Sequence, residues 1–254
     1  MPYAAVREQQ LWYEDSGEGD AVVMLHGFTG TARSDLGAQI DTFSRSYRVI
    51  APDLRGYGRS VPKPRAFGSD FYVQDALDAG ALLDFLGIDQ AHVLGYSDGA
   101  ESAVLAAIER PDRVRSVVAW GLTGVFGPEI GTVADVFLPA ADWPEKRPEW
   151  TAQIIANHGA EWLVPMVDGW SGAIKQILAA GGDVSLGLAH EIGCPVLLIN
   201  GEHDEGNPEH LARQLAERIP ICTFEIWPGL GHPVHKEAPE AFHARVLAFL
   251  RACP

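Results

Sequence analysis

Short, mostly apolar runs alternate along the chain with longer stretches in which apolar positions recur every three or four residues. The runs are 21–25, 47–51, 91–94, 114–120, 195–200 and 222–227; 21–25 is apolar at every position, and each of the others includes one or two polar residues. A run that is apolar at every position, not every second one, is the pattern of a strand covered on both faces in a parallel sheet. Residues 3–14 are rich in β-favouring side chains (Tyr3, Val6, Leu11, Trp12, Tyr13). They precede the turn-forming 15–20, so the chain is expected to open on an antiparallel edge hairpin. The stretches between the runs read as helices over about 33–45, over 70–87, from the turn at 97 to Arg110, after Pro208 and from about 239 to 251. Ser69 or Asp70 is positioned to cap the second of these, and Gly87 to stop it. Alternating strands and helices predict a mostly parallel sheet with helices on both faces, and loops at the carboxyl ends of its strands are where ligands should sit.

The rhythm breaks once. Residues 122–192 contain no convincing strand but have helical patterns near 147–158, 160–168 and 170–180, and they hold Trp143, Trp150, Trp162 and Trp170. The strand–helix alternation then resumes. This predicts a core domain of 1–121 and 193–254, with a helical cap, 122–192, inserted after the sixth strand. The alternative is a set of peripheral helices with core tryptophans.

Gly95-Tyr96-Ser97-Asp98-Gly99 lies between an apolar run and a helical pattern in which Ala100, Ala103, Val104, Ala107 and Ile108 share a face. G-x-S-x-G alone is a weak signal, but strand, sharp turn and helix are the context its chemistry requires. The turn strains its central residue, and larger side chains two positions to either side would collide, hence the two glycines. The serine oxygen is lifted clear of the sheet at the positive end of a helix. A serine hydroxyl needs a base, and the base needs an imidazole held by a carboxylate. Candidates occur in order: Asp204 in a rim loop, with Glu202 and Glu205 competing, then His232 in a glycine-rich loop, with His235 as its rival. The Ser…Asp…His order is that of the α/β-hydrolase fold. An oxyanion hole would use the backbone N–H groups of Phe28, after His26-Gly27, and of Asp98. His92, His158, His190, His203, His210 and His243 read as surface or structural histidines. Asp98 admits two readings. A carboxylate in a first helical turn is favoured by the dipole. Yet at 4 Å and an effective dielectric of 20 it would repel a forming oxyanion by about 4 kcal/mol, a penalty that a substrate ammonium group would relieve.

These motifs, with Asp53…Arg55-Gly56-Tyr57-Gly58-Arg59-Ser60, resemble the α/β-hydrolase superfamily across essentially the whole chain. Within it the sequence is similar to the valacyclovir hydrolase (biphenyl hydrolase-like) group, most clearly at 34–40, 55–60, 95–99, 118–121 and in Trp162…Val167-Asp168-Gly169. The resemblance implies that Asp98 holds the α-amino group of an amino acid ester and that the cap closes over a pocket near the nucleophile. Tyr96 stands where that group has tryptophan, and Ala100 where it has glycine.

The formal net charge of −15 argues against nucleic acid or an anionic membrane as partner. Three cysteines, Cys194, Cys222 and Cys253, form neither a disulfide framework nor a zinc motif. No secretory signal or membrane-length apolar run is visible, so a reducing, cytoplasmic setting is the expectation. Together these features predict a cofactor-free and metal-free serine hydrolase of the carboxylesterase type, monomeric or homodimeric, acting on small esters, with α-amino acid esters among them. Ser97, Asp204 and His232 would be catalytic, with Asp98, Tyr96, Trp120 and Trp162 around the substrate. The alternatives are hydrolysis of another bond (an N-terminal peptide bond, a lactone, or a carbon–carbon bond) and a ligand receptor on the same scaffold.

Overall fold

The structure is a computed structural model and describes residues 3–253. Its strands are β1 (Tyr3–Val6), β2 (Gln9–Ser16), β3 (Ala21–Leu25), β4 (Arg48–Pro52), β5 (Ala91–Tyr96), β6 (Val114–Trp120), β7 (Val196–Gly201) and β8 (Cys222–Trp227). They form an 8-stranded sheet in the order β1-β2-β4-β3-β5-β6-β7-β8. β1 pairs antiparallel with β2, and β2 with β4, while every later pairing is parallel. The opening hairpin is present, but its turn lies at Arg7, where φ is 50°, and β2 runs on to Ser16. The turn-forming residues that follow link β2 to β3.

The helices are α1 (Ala32–Phe43), α2 (Phe71–Leu86), α3 (Asp98–Glu109), α4 (Pro128–Val136), α5 (Trp143–Lys146), α6 (Pro148–His158), α7 (Leu163–Ala179), α8 (Glu209–Arg218), α9 (Val234–Glu237) and α10 (Pro239–Ala252). Alternate residues of each central strand feed opposite layers. Val23 and Leu25 pack with α2 and α3, whereas Val22 and Met24 pack with α1 and α10. This burial on both faces explains why β3 reads as continuously apolar and the other central strands as mostly apolar. Gly87 ends α2 in the left-handed conformation, as its position predicts. Asp70 occupies the position before α2 but makes no side-chain cap; its carboxylate accepts from Gln74 instead.

Between β6 and β7 the chain forms helices and their connecting turns, with no strand beyond an isolated bridge between Val125 and Asp183. Two differences from the sequence pattern stand out. α4 was not anticipated, and 163–179 is one helix where the pattern suggested two. Gly169 lies inside it because the Phe67 ring packs where a side chain would be, so the glycine marks a close approach and not a break. This segment has an apolar cluster of its own, Ala140, Trp143, Ile154, Leu163 and Val167, against which Phe28, Phe137 and Trp150 pack. Among the described residues no helix is long and apolar enough to cross a membrane.

Candidate active site

β5 delivers Ser97 to the rim of the sheet with φ 55° and ψ −120°, a conformation that side-chain-bearing residues rarely adopt. The flanking glycines make the turn possible. A Cβ on Gly95 would overlap the Gly99 carbonyl, and one on Gly99 would overlap the Leu25 carbonyl. The Ser97 N–H donates to the Trp120 carbonyl at 2.9 Å, tying the turn to the neighbouring strand.

Three distant segments meet here. His232 Nε2 lies 2.9 Å from Ser97 Oγ, and His232 Nδ1 lies 2.6 Å from Asp204 Oδ2. The tautomer compatible with both contacts carries its proton on Nδ1 and leaves Nε2 free to accept the serine proton. Asp204 is buried and also accepts from the Asn207 side-chain amide, 3.2 Å from each oxygen. Its rivals fall away for simple reasons. Glu202 is exposed and accepts the Gly229 N–H at 2.8 Å, and Glu205 is exposed at the rim. His235, the rival base, is fully buried and already committed. Its Nδ1 accepts from Trp120 Nε1 at 2.9 Å and its Nε2 donates to the Asp35 carbonyl at 3.2 Å, while burial lowers its pKa to about 3. Gly121, at φ 70°, leaves room for the His232 ring, since a Cβ there would lie 2.8 Å from Cε1. Nothing in the local pattern marks Asn200, a buried side chain at the end of β7. It accepts from the N–H groups of Gly121 and Leu122 and donates to the Leu122 and Asn207 carbonyls, joining the loop after β6 to the loop that carries the acid.

The 26–30 loop faces the elbow. His26 is buried, donates from Nδ1 to the Gly27 carbonyl at 2.8 Å and accepts the Leu54 N–H at Nε2. Burial lowers its pKa to about 3, so it is a neutral loop organiser. A Cβ on Gly27 would stand 3.1 Å from the Ser97 Cβ. Neither the Phe28 nor the Asp98 main-chain N–H has an acceptor among the described residues. Two further side chains fix this loop from the helical segment: Trp150 Nε1 donates to Thr29 Oγ1 at 2.7 Å, and His158 Nε2 donates to the Thr29 carbonyl at 2.9 Å. His158 also accepts the Gly58 N–H, so this structural histidine links three parts of the chain.

A cavity of about 500 Å³ opens beside Ser97 and His232, with Phe28, Tyr72, Tyr96, Phe126, Trp150 and Trp170 among its walls. Asp98 lies in it, buried, accepting from the Tyr72 hydroxyl at 2.8 Å and from Trp170 Nε1 at 2.9 Å. Burial pushes its pKa up to about 6 despite these donors and the nearby Arg65. Tyr96 lines the cavity as expected, but two of the expected substrate contacts do not. Trp120 points to the opposite layer of the sheet, fully buried against His235 and Phe242. Trp162 sits in the turn before α7, off the buried stripe of Leu163, Met166, Val167, Trp170 and Ile174, so Trp170 takes the place at the wall.

Fold and site together define a hydrolase of the α/β class. The α/β hydrolase fold family matches residues 20–168, more than half of the chain, and the protein belongs to that family. It is 29% identical over 250 residues to Serine hydrolase BPHL of Homo sapiens, covering 97% of this chain and 85% of that protein. It is 30% identical over 288 residues to the 2-hydroxy-6-oxononadienedioate/2-hydroxy-6-oxononatrienedioate hydrolase 2 of Pseudomonas putida, covering 98% and 96%. Among solved structures it is similar to the serine hydrolase CCSP0084 of Cycloclasticus zankles, with a TM-score of 0.86 at 21% identity over 98% of this chain and 97% of that one. The resemblance to the biphenyl hydrolase-like group is thus supported along nearly the whole chain.

Proposed function

We propose that this protein is a serine hydrolase of small carboxylic esters, α-amino acid esters among them. The observation that carries the reading is the unbroken hydrogen-bonded path from Ser97 through His232 to Asp204, opening on a cavity beside two unpaired main-chain N–H groups. In this mechanism Ser97 Oγ attacks the ester carbonyl as His232 Nε2 takes its proton. The N–H groups of Phe28 and Asp98 receive the developing oxyanion, each worth roughly 3–4 kcal/mol by the usual measure of such donors. Collapse of the tetrahedral intermediate expels the alcohol, which takes the proton back from His232. Water then attacks the acyl-enzyme by the same route, restoring Ser97 and releasing the acid. Asp204 holds the imidazole in its working tautomer and stabilises the imidazolium. These steps call on no cofactor or metal. Asp98 serves twice: its N–H at the oxyanion, its carboxylate as counter-charge to a substrate ammonium group. Residues 122–192 act as a cap whose Trp150 and His158 hold the oxyanion loop.

A relative at 30% identity is named for a dioate substrate. A cavity lined by Asp98 and Glu101 disfavours such dianions here, which is why an amino ester is the better reading. Turnover of p-nitrophenyl butyrate by the parent protein, reduced roughly 10⁴-fold or more in Ser97→Ala, is the expected result. Full turnover by Ser97→Ala would sink the mechanism, and none by the parent would favour a receptor. The amine reading is tested by the kcat/KM ratio of an amino acid ester to its des-amino analogue, which should collapse in Asp98→Asn.

A further inference from the structure

Glu101 lies one helical turn beyond Asp98 on α3 and lines the same cavity. It is 2% exposed. One of its carboxylate oxygens, Oε1, accepts the N–H groups of Thr123 and Gly124 at 3.1 and 3.0 Å. The other, Oε2, is buried and has no donor. A buried carboxylate with an unpartnered oxygen is costly unless a proton or a cation accompanies it. No cation among the described residues pairs with them: Lys236, at the same cavity, is paired with Asp35 at 3.2 Å. Among the described residues neither Asp98 nor Glu101 forms an ion pair, and the buried Arg65 behind them is paired with Asp75 at 3.0 Å. The inner end of the cavity thus holds two carboxylates without a basic partner. Around them stand the rings of Tyr72, Phe126 and Trp170, whose faces favour a positive charge. Asp98 already accepts from a hydroxyl and an indole N–H, whereas Glu101 keeps an oxygen in reserve.

We propose that Glu101 is the second counter-charge of a cation site, so that the ammonium group of the substrate is held jointly by Asp98 and Glu101 and Glu101 sets the preference for cationic esters. This deepens the amino-ester reading and rests on it. Glu101→Gln is a suitable probe because the amide keeps a carbonyl for Thr123 and Gly124 while removing the charge. The kcat/KM ratio of phenylalanine methyl ester to methyl 3-phenylpropanoate should fall at least tenfold in Glu101→Gln, mainly through KM for the amino ester, and Glu101→Asp should restore part of it. A ratio in a folded Glu101→Gln equal to that of the parent would overturn the proposal. A second arm does not depend on turnover: calorimetric binding of phenethylammonium to Ser97→Ala, with and without Glu101→Gln. At least tenfold weaker binding in the double variant supports the site. Equal binding overturns it even if ester hydrolysis is confirmed. Failure of the parent to hydrolyse either ester would remove the reaction but leave this measurement standing.

Discussion

At the scale of single residues, the carboxylates of the proposed site differ in what surrounds them. Asp204 touches only the base and its loop, so its charge acts through the orientation of the His232 ring. Asp204→Asn keeps the shape but not the charge, and in triads of this kind the exchange costs about 10⁴ in kcat. Steady-state kinetics on p-nitrophenyl butyrate should show a loss of that order, with KM moved far less. Asp98 carries a prediction about pH. Burial pushes its pKa up to about 6, against the Tyr72 and Trp170 hydrogen bonds and the Arg65 charge that oppose the shift; Asp75 and Glu101 are the other carboxylates nearby. Above that pH the carboxylate is charged and can hold an ammonium group; below it the proton displaces the attraction. The ratio of kcat/KM for an amino ester to that for its des-amino analogue should therefore fall as pH drops through the region of 6. Effects on the chemical step common to both esters divide out of the ratio. In Asp98→Asn the step attributable to this group should be gone, and a step of equal size there would contradict the assignment.

At the scale of elements, the helical segment reaches the proposed oxyanion loop through Thr29, whose φ of 62° is strained and whose neighbour Phe28 is the proposed N–H donor. Trp150→Phe keeps most of the aromatic packing and removes one hydrogen bond, worth about 1 kcal/mol. If that energy holds the oxyanion loop in place, kcat should fall about fivefold. Tm should drop by only a few degrees. A lower Tm with unchanged kcat would make the contact merely structural. These elements were unevenly legible in the sequence. The strands, the elbow, Asp204 and His232 could be read because each is set by local pattern and chain order. The face a side chain takes was less legible. In the apolar run Val117–Trp120, nothing in the sequence tells which layer Trp120 enters. Trp162 and Trp170 could have been told apart, because the stripe through Leu163, Met166, Val167, Trp170 and Ile174 passes through one and misses the other. Glu101 was hidden most completely: an acid in a first helical turn reads as an exposed residue favoured by the dipole, yet it is buried.

At the scale of the whole molecule, a chain of net charge −15 keeps two carboxylates buried beside its nucleophile, and that arrangement costs stability. Burial raises Glu101 from 4.5 to about 7 against the pull of its Gly124 and Thr123 hydrogen bonds. A folded-state pKa above the unfolded one means that the native protein binds more protons between the two values. Stability therefore falls as pH rises from the unfolded pKa through the folded one, and the loss is complete above about 7, amounting to roughly 3 kcal/mol for this group. Asp98 adds to it in the same direction over a lower window. Glu101→Gln removes one of the two titrations. Calorimetric Tm values for the variant and the parent should differ in a pH-dependent way: the variant's advantage, or its smaller deficit, should grow by several degrees between about pH 5 and pH 8. The comparison across pH is the informative quantity, because any packing cost of the amide is the same at both ends. A Tm difference that does not change with pH would mean that Glu101 titrates as it does in the unfolded chain. If the difference grows while the amino-ester preference collapses, then the same buried charge that weakens the fold selects the substrate.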